Sequence, residues 1–357
     1  MKKINEIIER IKALNSNLMG KAQKHLDNLT KPKGSLGLLE EIAKTVVGIK
    51  EEMKPLLKRK IILTLAGDHG VVEEGVSLYP QEVTCQMVHN FLGGGAGINA
   101  LASLVGAEVI VVDMGVKRKL KIKSERLKIK KVGYGTKNIA KGPAMSRKEA
   151  TESILRGIEV FEEEYEKEKI DIVGVGDMGI GNTTPSSCIV ACITSSEVPD
   201  VTSKGTGIDD EALEKKVEVI KRALDINKPN PQDAIDILCK VGGFEIGGIA
   251  GIFLASAANR VPAILDGFIS TAGALIAAKL APLTRNYMIA SHQSVEKGHK
   301  IALNYLGKKP LFDLSMRLGE GTGSAIAMSI VEGACRILNE MATFNEAGVS
   351  DLTDDVL

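Results

Sequence analysis

Five short apolar runs constrain this chain more than any other feature. They are KIILTLAGDHG from Lys60, AEVIVVDMGV from Ala107, DIVGVGDMGIGN from Asp171, VPAILDGF from Val261 and NYMIASHQS from Asn286. Each is rich in β-branched residues and apolar at nearly every position, the pattern of strands covered on both faces of a parallel sheet. Longer stretches of helical periodicity separate them, so the fold class expected is α/β with a doubly wound, mostly parallel sheet. Each run also ends in polar or glycine residues: Asp68-His69, Asp113, Asp177, Asp266 and Ser291-His292. Ligands of open α/β sheets bind outside the carboxyl ends of the strands. One shared cleft at that edge is therefore expected.

The chain ends read as helices. Ile4, Ile7, Ile8, Ile11 and Leu14 recur at helical spacing, and Gly323 to Gly348 reads as one long helix with Ile326, Ile330, Ala334, Ile337, Leu338 and Met341 along one face. The expected organisation is a small helical domain built from residues 1–55 and 324–357, with a large α/β domain over 56–323. Aromatic residues make up only 3% and Trp is absent, so the core is aliphatic. The net charge of +1 supplies no global field for nucleic acid or an anionic membrane. Residues 117–131 hold nine Lys or Arg. Without aromatics, they read as a solvated edge strand or hairpin with Leu120, Ile122, Leu127 and Ile129 turned inward. No uncharged apolar run reaches the ~20 residues of a membrane helix, and the charged N-terminus lacks a signal-peptide core. The five scattered cysteines, with no CxxC pair, read as free thiols of a reducing compartment. A cytoplasmic protein is expected.

Two loops carry chemistry. In GVGDMGIGNTT (Gly174 to Thr184) a strand enters a glycine loop and then a helix near Pro185. Such a loop serves either as a phosphate or carboxylate cradle, with backbone N–H groups and a helix N-terminus, or as a tight strand-to-helix turn. In LGEGTGSA (Leu318 to Ala325), Glu320 stands between two glycines just before the last helix. It is either an accessible carboxylate or a helix-start cap. Asp68, His69, Asp113 and His292 define a rival reading, a metal-dependent hydrolase, although no HExxH, HxH or DxD spacing supports it. A nucleotide-binding module without turnover is the non-enzymatic rival.

The segments KPKGSLG, GDHGV with YPQEVT, GTKNIAKGPAMS (Gly135 to Ser146), GDMGIGNTT and MRLGEGTG occur in this order over residues ~29 to 348. Together they resemble the nicotinate-nucleotide:dimethylbenzimidazole phosphoribosyltransferase family of cobalamin assembly. The resemblance implies a homodimer, nicotinate mononucleotide and a benzimidazole as substrates, and no cofactor. It makes Glu320 the general base and puts Asp177 in the active site, where the family pattern has Glu. It places a lysine at Lys216, with Lys215 as the register alternative, and the base pocket on the YPQEVTCQM region. The nucleotide phosphate is expected at Gly176, Gly179, Gly181, Asn182, Thr183, Lys216 and Ser291. The base is expected at Tyr79, Gln86, Met87 and Leu318. Gly247 to Ala258 is a candidate for close helix packing, internal or between subunits.

The chemistry agrees with these residues. A nicotinate nucleotide carries a cationic pyridinium that leaves as a neutral ring nitrogen, so no general acid or metal is required. Attack through the lone-pair nitrogen of a benzimidazole makes a cationic ring that must lose its N–H, for which one carboxylate is enough. Attack opposite the leaving group inverts the anomeric carbon and gives an α-glycoside.

Overall fold

The computed structural model describes residues 1–205 and 207–350; residues 351–357 of the expected C-terminal unit lie outside the described residues. In chain order the elements are α1 (Lys2–Arg10), α2 (Ser16–Asp27), α3 (Leu38–Lys50), β1 (Lys60–Gly67), α4 (Glu82–Gly93), α5 (Gly97–Val105), β2 (Ala107–Gly115) and β3 (Leu127–Ile129). Then come α6 (Arg147–Lys167), β4 (Ile172–Met178), α7 (Thr183–Thr194), α8 (Val198–Val201), α9 (Asp210–Asn227), α10 (Ala234–Val241) and α11 (Phe244–Ala258). The remainder is β5 (Ala263–Leu265), α12 (Phe268–Leu280), β6 (Met288–Ala290), α13 (Lys297–Leu306), α14 (Thr322–Glu340) and α15 (Phe344–Ala347).

All strand pairs are parallel, in the order β3-β2-β1-β4-β5-β6. The order reverses between β1 and β4, so the crevice of this doubly wound sheet opens at their carboxyl ends. Side chains divide by strand parity. Ile61, Leu63, Leu65, Val173 and Val175 join a core shared with α6, α11 and α12. Ile62, Ala66 and Ile172 join a second core shared with α3, α5 and α14.

The alternation in β4 explains its VGVG sequence. Gly174 and Gly176 occupy the parity that faces α14: a Cβ on Gly174 would lie 2.8 Å from Ser324 Cβ, and one on Gly176 would collide with the Glu320 carbonyl. The two glycines let α14 and the loop before it settle directly on the sheet. The glycines of α11 act similarly but internally. A Cβ on Gly248 or Gly251 would meet Leu65 or the Ile154 carbonyl, and one on Gly157 of α6 would meet the Gly248 carbonyl. The close packing of Gly247 to Ala258 is thus within the chain, against α6 and the sheet.

Helices α2, α3 and α14, from both chain ends, pack together, and Leu29 and Thr343 form an isolated antiparallel bridge. Helix α1 instead lies on α6 and α11. The last helix is shorter than its apolar stripe implies: α14 stops at Glu340, and α15 restarts behind a capping box of Thr343 and Glu346. Helix α7 starts at Thr183, two residues before Pro185, with the proline inside its first turn. The basic segment contains the edge strand β3. Leu120 and Leu127 are buried and Ile122 is half-buried, but Ile129 is 55% exposed, since a three-residue edge strand has one covered face. Among the described residues no helix is long and apolar enough to cross a membrane.

Candidate active site

The carboxyl ends of β4, β5 and β6 and the loop before α14 enclose a cavity of about 360 Å³. Tyr79, Asp177, Thr183, Glu296, Arg317 and Leu318 are among its lining residues.

One wall is acidic. Glu320 adopts φ 65°, left-handed backbone that a non-glycine residue holds at a cost of about 1–3 kcal/mol. Three bonds keep it there. Its N–H donates to the Asp177 carbonyl at 3.2 Å, its carbonyl accepts from Thr64 Oγ1 at 2.8 Å, and its Oε2 accepts the Ile98 N–H at 3.1 Å. Ile98 lies in the first turn of α5, so the carboxylate also meets the positive end of that helix. Burial pushes the Glu320 carboxyl above the usual glutamate range, and the Ile98 bond only partly offsets this. Glu320 is 5% exposed and stands just behind the wall residues Leu318 and Gly319. A Cβ on Gly97 would lie 3.0 Å from Leu318 Cδ2 and 3.5 Å from Glu320 Oε2, so the bare glycine lets both side chains pack close against the start of α5.

Asp177 lines the same wall. Asn182 Nδ2 donates to its Oδ2 at 2.9 Å, while its Oδ1 is buried with no hydrogen-bond partner among the described residues. Burial first, then the neighbouring Asp266 and Glu245, hold its carboxyl well above the aspartate range. Behind it, His69 Nε2 and Glu245 Oε1 form a buried pair at 2.8 Å. Burial alone would lower the His69 pKa, but the charge and hydrogen bond of Glu245 raise it above the usual value.

The opposite wall is cationic. Lys216 is 1% exposed, and its Nζ donates to Thr183 Oγ1 at 2.7 Å and to the Ser203 carbonyl at 3.1 Å. Burial lowers its pKa to about 8. Arg317 Nη1 donates to the Gly205 carbonyl at 3.0 Å. Glu296 lies near both cations, with its carboxyl raised by burial and its Oε2 buried and unpartnered among the described residues.

The expected site residues therefore divide. Asp177, Gly179, Asn182, Thr183, Tyr79 and Leu318 line the cavity, and Lys216 sits against Thr183 from behind. Lys215 is exposed and points to the Gly75 turn, whereas Lys216 is buried against Thr183. Gly176 is an interior residue of β4 under the Glu320 carbonyl and does not line the cavity. Gly181, at φ 87°, packs against Val72 and makes the turn into α7. Ser291 is fully buried, its Oγ donating to the Asp266 carbonyl at 2.9 Å, and the next residue, His292, reaches the cavity instead. Gln86 is exposed on α4 and Met87 packs on the second core; neither lines the cavity. Glu296, Arg317 and Asp266 were not assigned from sequence. Arg317 stands in the MRLGEGTG segment and Asp266 at a strand end, whereas Glu296 has no pattern around it.

The four residues of the hydrolase reading are engaged separately. Asp68 Oδ2 accepts the Lys117 N–H at 2.7 Å, His69 pairs with Glu245, Asp113 pairs with Lys131 at 3.0 Å, and His292 Nδ1 lies 3.0 Å from Ser291 Oγ. Among the described residues no group of three His, Cys, Asp or Glu side chains stands where it could hold a metal ion.

A crevice at the switch point of the sheet, with Asp177 in one wall and Arg317 and the Thr183–Lys216 pair at the other, is where an α/β enzyme holds a small substrate. Residues 11–349 match the family model described as phosphoribosyltransferase. The nicotinate-nucleotide–dimethylbenzimidazole phosphoribosyltransferase of Geobacter sp. strain M21 is 53% identical over 350 residues, covering 98% of this chain and 100% of that one. The protein of that name from Desulforamulus reducens is 54% identical over 346 residues, covering 97% and 98%. The crystal structure of the Thermus thermophilus protein of that name superposes with a TM-score of 0.89 at 42% identity, covering 95% of this chain and 100% of that one. The chain belongs to the nicotinate-nucleotide:dimethylbenzimidazole phosphoribosyltransferase family.

Proposed function

We propose that this enzyme transfers ribose 5-phosphate from nicotinate mononucleotide to 5,6-dimethylbenzimidazole or a similar base, giving nicotinate and α-ribazole 5′-phosphate. The observation that carries the reading is the two-walled cavity, with Glu320 and Asp177 on one side and Lys216 and Arg317 on the other. The 5′-phosphate lies toward Thr183, Lys216 and Arg317, at the positive end of α7. The base enters past Tyr79 and Leu318 toward Glu320. The C1′–N bond to nicotinate breaks with its electron pair on the pyridine nitrogen. The lone-pair nitrogen of the base forms the new C1′–N bond from the opposite face, inverting C1′. Asp177, with one unpartnered oxygen in the wall, stabilises the oxocarbenium character that develops at C1′. The Glu320 carboxylate takes the N–H proton.

The same reading includes a cytoplasmic homodimer and a division into a helical unit (1–55 and 324–357) and an α/β unit (56–323), although α1 of the first packs on α6 and α11 of the second. Incubation with nicotinate mononucleotide and a panel of bases tests the activity. Release of nicotinate that depends on an added base, with an α-configured product, is the expected result. Nucleotide binding without base-dependent release, or release abolished by chelator, sinks the reading. Sedimentation at micromolar concentration tests the dimer, which a monomeric mass refutes.

A further inference from the structure

The loop that carries Glu320 runs into a helix with no cap of its own. The N-cap position of α14 is Gly321, at φ 98°, which has no side chain to offer. The N–H groups of that buried first turn need acceptors from elsewhere.

We propose that Asp266 is the positioning residue for Glu320, clamping the loop that presents the general base. The inference rests on the reading of Glu320 as base. Asp266 follows β5 and is fully buried. Its Oδ2 accepts the Gly321 N–H at 3.2 Å and its Oδ1 accepts the Ser324 N–H at 2.9 Å. One carboxylate thus holds the residue directly after Glu320 and the third residue of α14. It supplies from a neighbouring strand what an N-cap side chain normally supplies locally.

The clamp is anchored in turn. Ser291 Oγ, from the end of β6, donates to the Asp266 carbonyl at 2.9 Å, and Ser324 Oγ donates to the Val175 carbonyl of β4 at 3.0 Å. With the bonds of Thr64 and Asp177 to Glu320 itself, the loop is tied to β1, β4 and β5. Asp266 does not line the cavity, so it reaches substrate only through its neighbours: through the loop to Glu320, and by its charge to Asp177. This accounts for the burial of Ser291, which supports the clamp instead of facing the nucleotide. The ionisable groups around Asp266 are Asp177 on β4, Glu320 on the loop and His292 after β6. Burial raises the Asp266 carboxyl to about 7, and the amide bonds of the clamp work against that shift.

Asp266→Asn tests the clamp, because the amide keeps the shape of the side chain but has one acceptor oxygen for two N–H donors. A misplacement of about 1 Å at a reacting group costs on the order of a hundredfold in rate. The expected result is a fall in kcat of about that size, with the nucleotide Kd within about twofold of wild type. In a Glu320→Gln background, Asp266→Asn is expected to remove less than about twofold more, since a residue that acts through Glu320 has nothing left to position. Independent, multiplying losses overturn the proposal, as does an unchanged kcat or a loss confined to nucleotide Kd. If Asp266→Asn does not fold, Ser291→Ala loosens the anchor while leaving the carboxylate, and the same non-additivity with Glu320→Gln decides. Amide hydrogen exchange at Gly321 and Ser324 needs no turnover and separates this inference from the functional one. Faster exchange in the variant supports the clamp, and unchanged exchange overturns it even if the enzyme transfers ribose phosphate as proposed. Wild-type enzyme without base-dependent nicotinate release sinks the functional reading and, with it, the role of Asp266 in positioning a base.

Discussion

Glu320→Gln separates proton transfer from structure within a single side chain. In the native protein, Oε2 accepts the Ile98 N–H at 3.1 Å. Gln retains an oxygen acceptor of the same reach, so this bond changes from charge-assisted to neutral, losing about half of roughly 1.5–3 kcal/mol. Against that, the neutral amide escapes the burial that raises the carboxyl pKa. The net change in stability is expected within about 1 kcal/mol, or about 1–2 °C in melting temperature for a chain of this length. The proton cannot be taken at all, and general base catalysis contributes about 10² to 10⁴ in rate, roughly 2.7 to 5.5 kcal/mol. Nicotinate release under saturating nucleotide and base, with nucleotide Kd measured separately by titration, distinguishes the two effects. The wild-type acid limb is a second readout. Because burial raises the Glu320 carboxyl, its base form is lost as pH falls through a value above the ordinary glutamate range, and the rate falls there. The variant lacks that limb. A Glu320→Gln enzyme that turns over near the wild-type rate but melts several degrees lower refutes the reasoning. Glu320 would then be a cap, and Asp177 the next base to test.

Lys216→Met keeps a long buried side chain but removes the charge, so nucleotide Kd is expected to rise by at least about tenfold while base affinity holds, measured by calorimetric titration. In the wild type, the same titration is expected to show nucleotide binding weakening as pH rises through about 8, since burial lowers the Lys216 pKa to about that value. Gly176→Ala drives a methyl group into the Glu320 carbonyl, and a loss of activity out of proportion to a few kcal/mol of destabilisation is expected; wild-type kinetics refute this. His69→Ala strands the buried Glu245 carboxylate and is expected to cost about 3–5 kcal/mol in chemical denaturation, much of it recovered by adding Glu245→Gln. Because Glu245 raises the His69 pKa, the contribution of that pair is full below the unfolded histidine's pKa and fades as pH rises through the folded one.

The central strands were legible because both faces of the sheet are covered, which turns each strand into an unbroken apolar run. The edge strand β3 was harder to delimit, since three residues with one covered face carry little pattern. Within the site, periodicity held more information than motif position. Lys216 shares its helical stripe with the buried Val219, Ile220 and Ala223, which separates it from Lys215. Met87 likewise falls on the stripe of Thr84, Val88 and Phe91, the core face of α4, while Gln86 falls on the solvent face. Gly176 is ambiguous in sequence because a glycine does not distinguish an amide offered to a ligand from a gap left for a neighbouring chain segment, which is what lies against it here. Ser291 turns inward and His292 toward the cavity because one step along a strand end reverses the direction of the side chain. Glu296 was invisible, as its place in the wall depends on a turn with no local signature.

The seat that Gly174 and Gly176 provide for α14 divides the cavity into two regions with different freedom to change. Any larger side chain at either position lifts the helix from the sheet and carries the base with it, so this half of the enzyme tolerates little drift. The rim formed by Tyr79 and Leu318 is half open to solvent and rests on no such seat. On the proposed reading, substitutions there reshape the entrance for the incoming ring and leave the seat of Glu320 as it is. A lineage that must use a different acceptor would then have a short route to it, through changes at the rim.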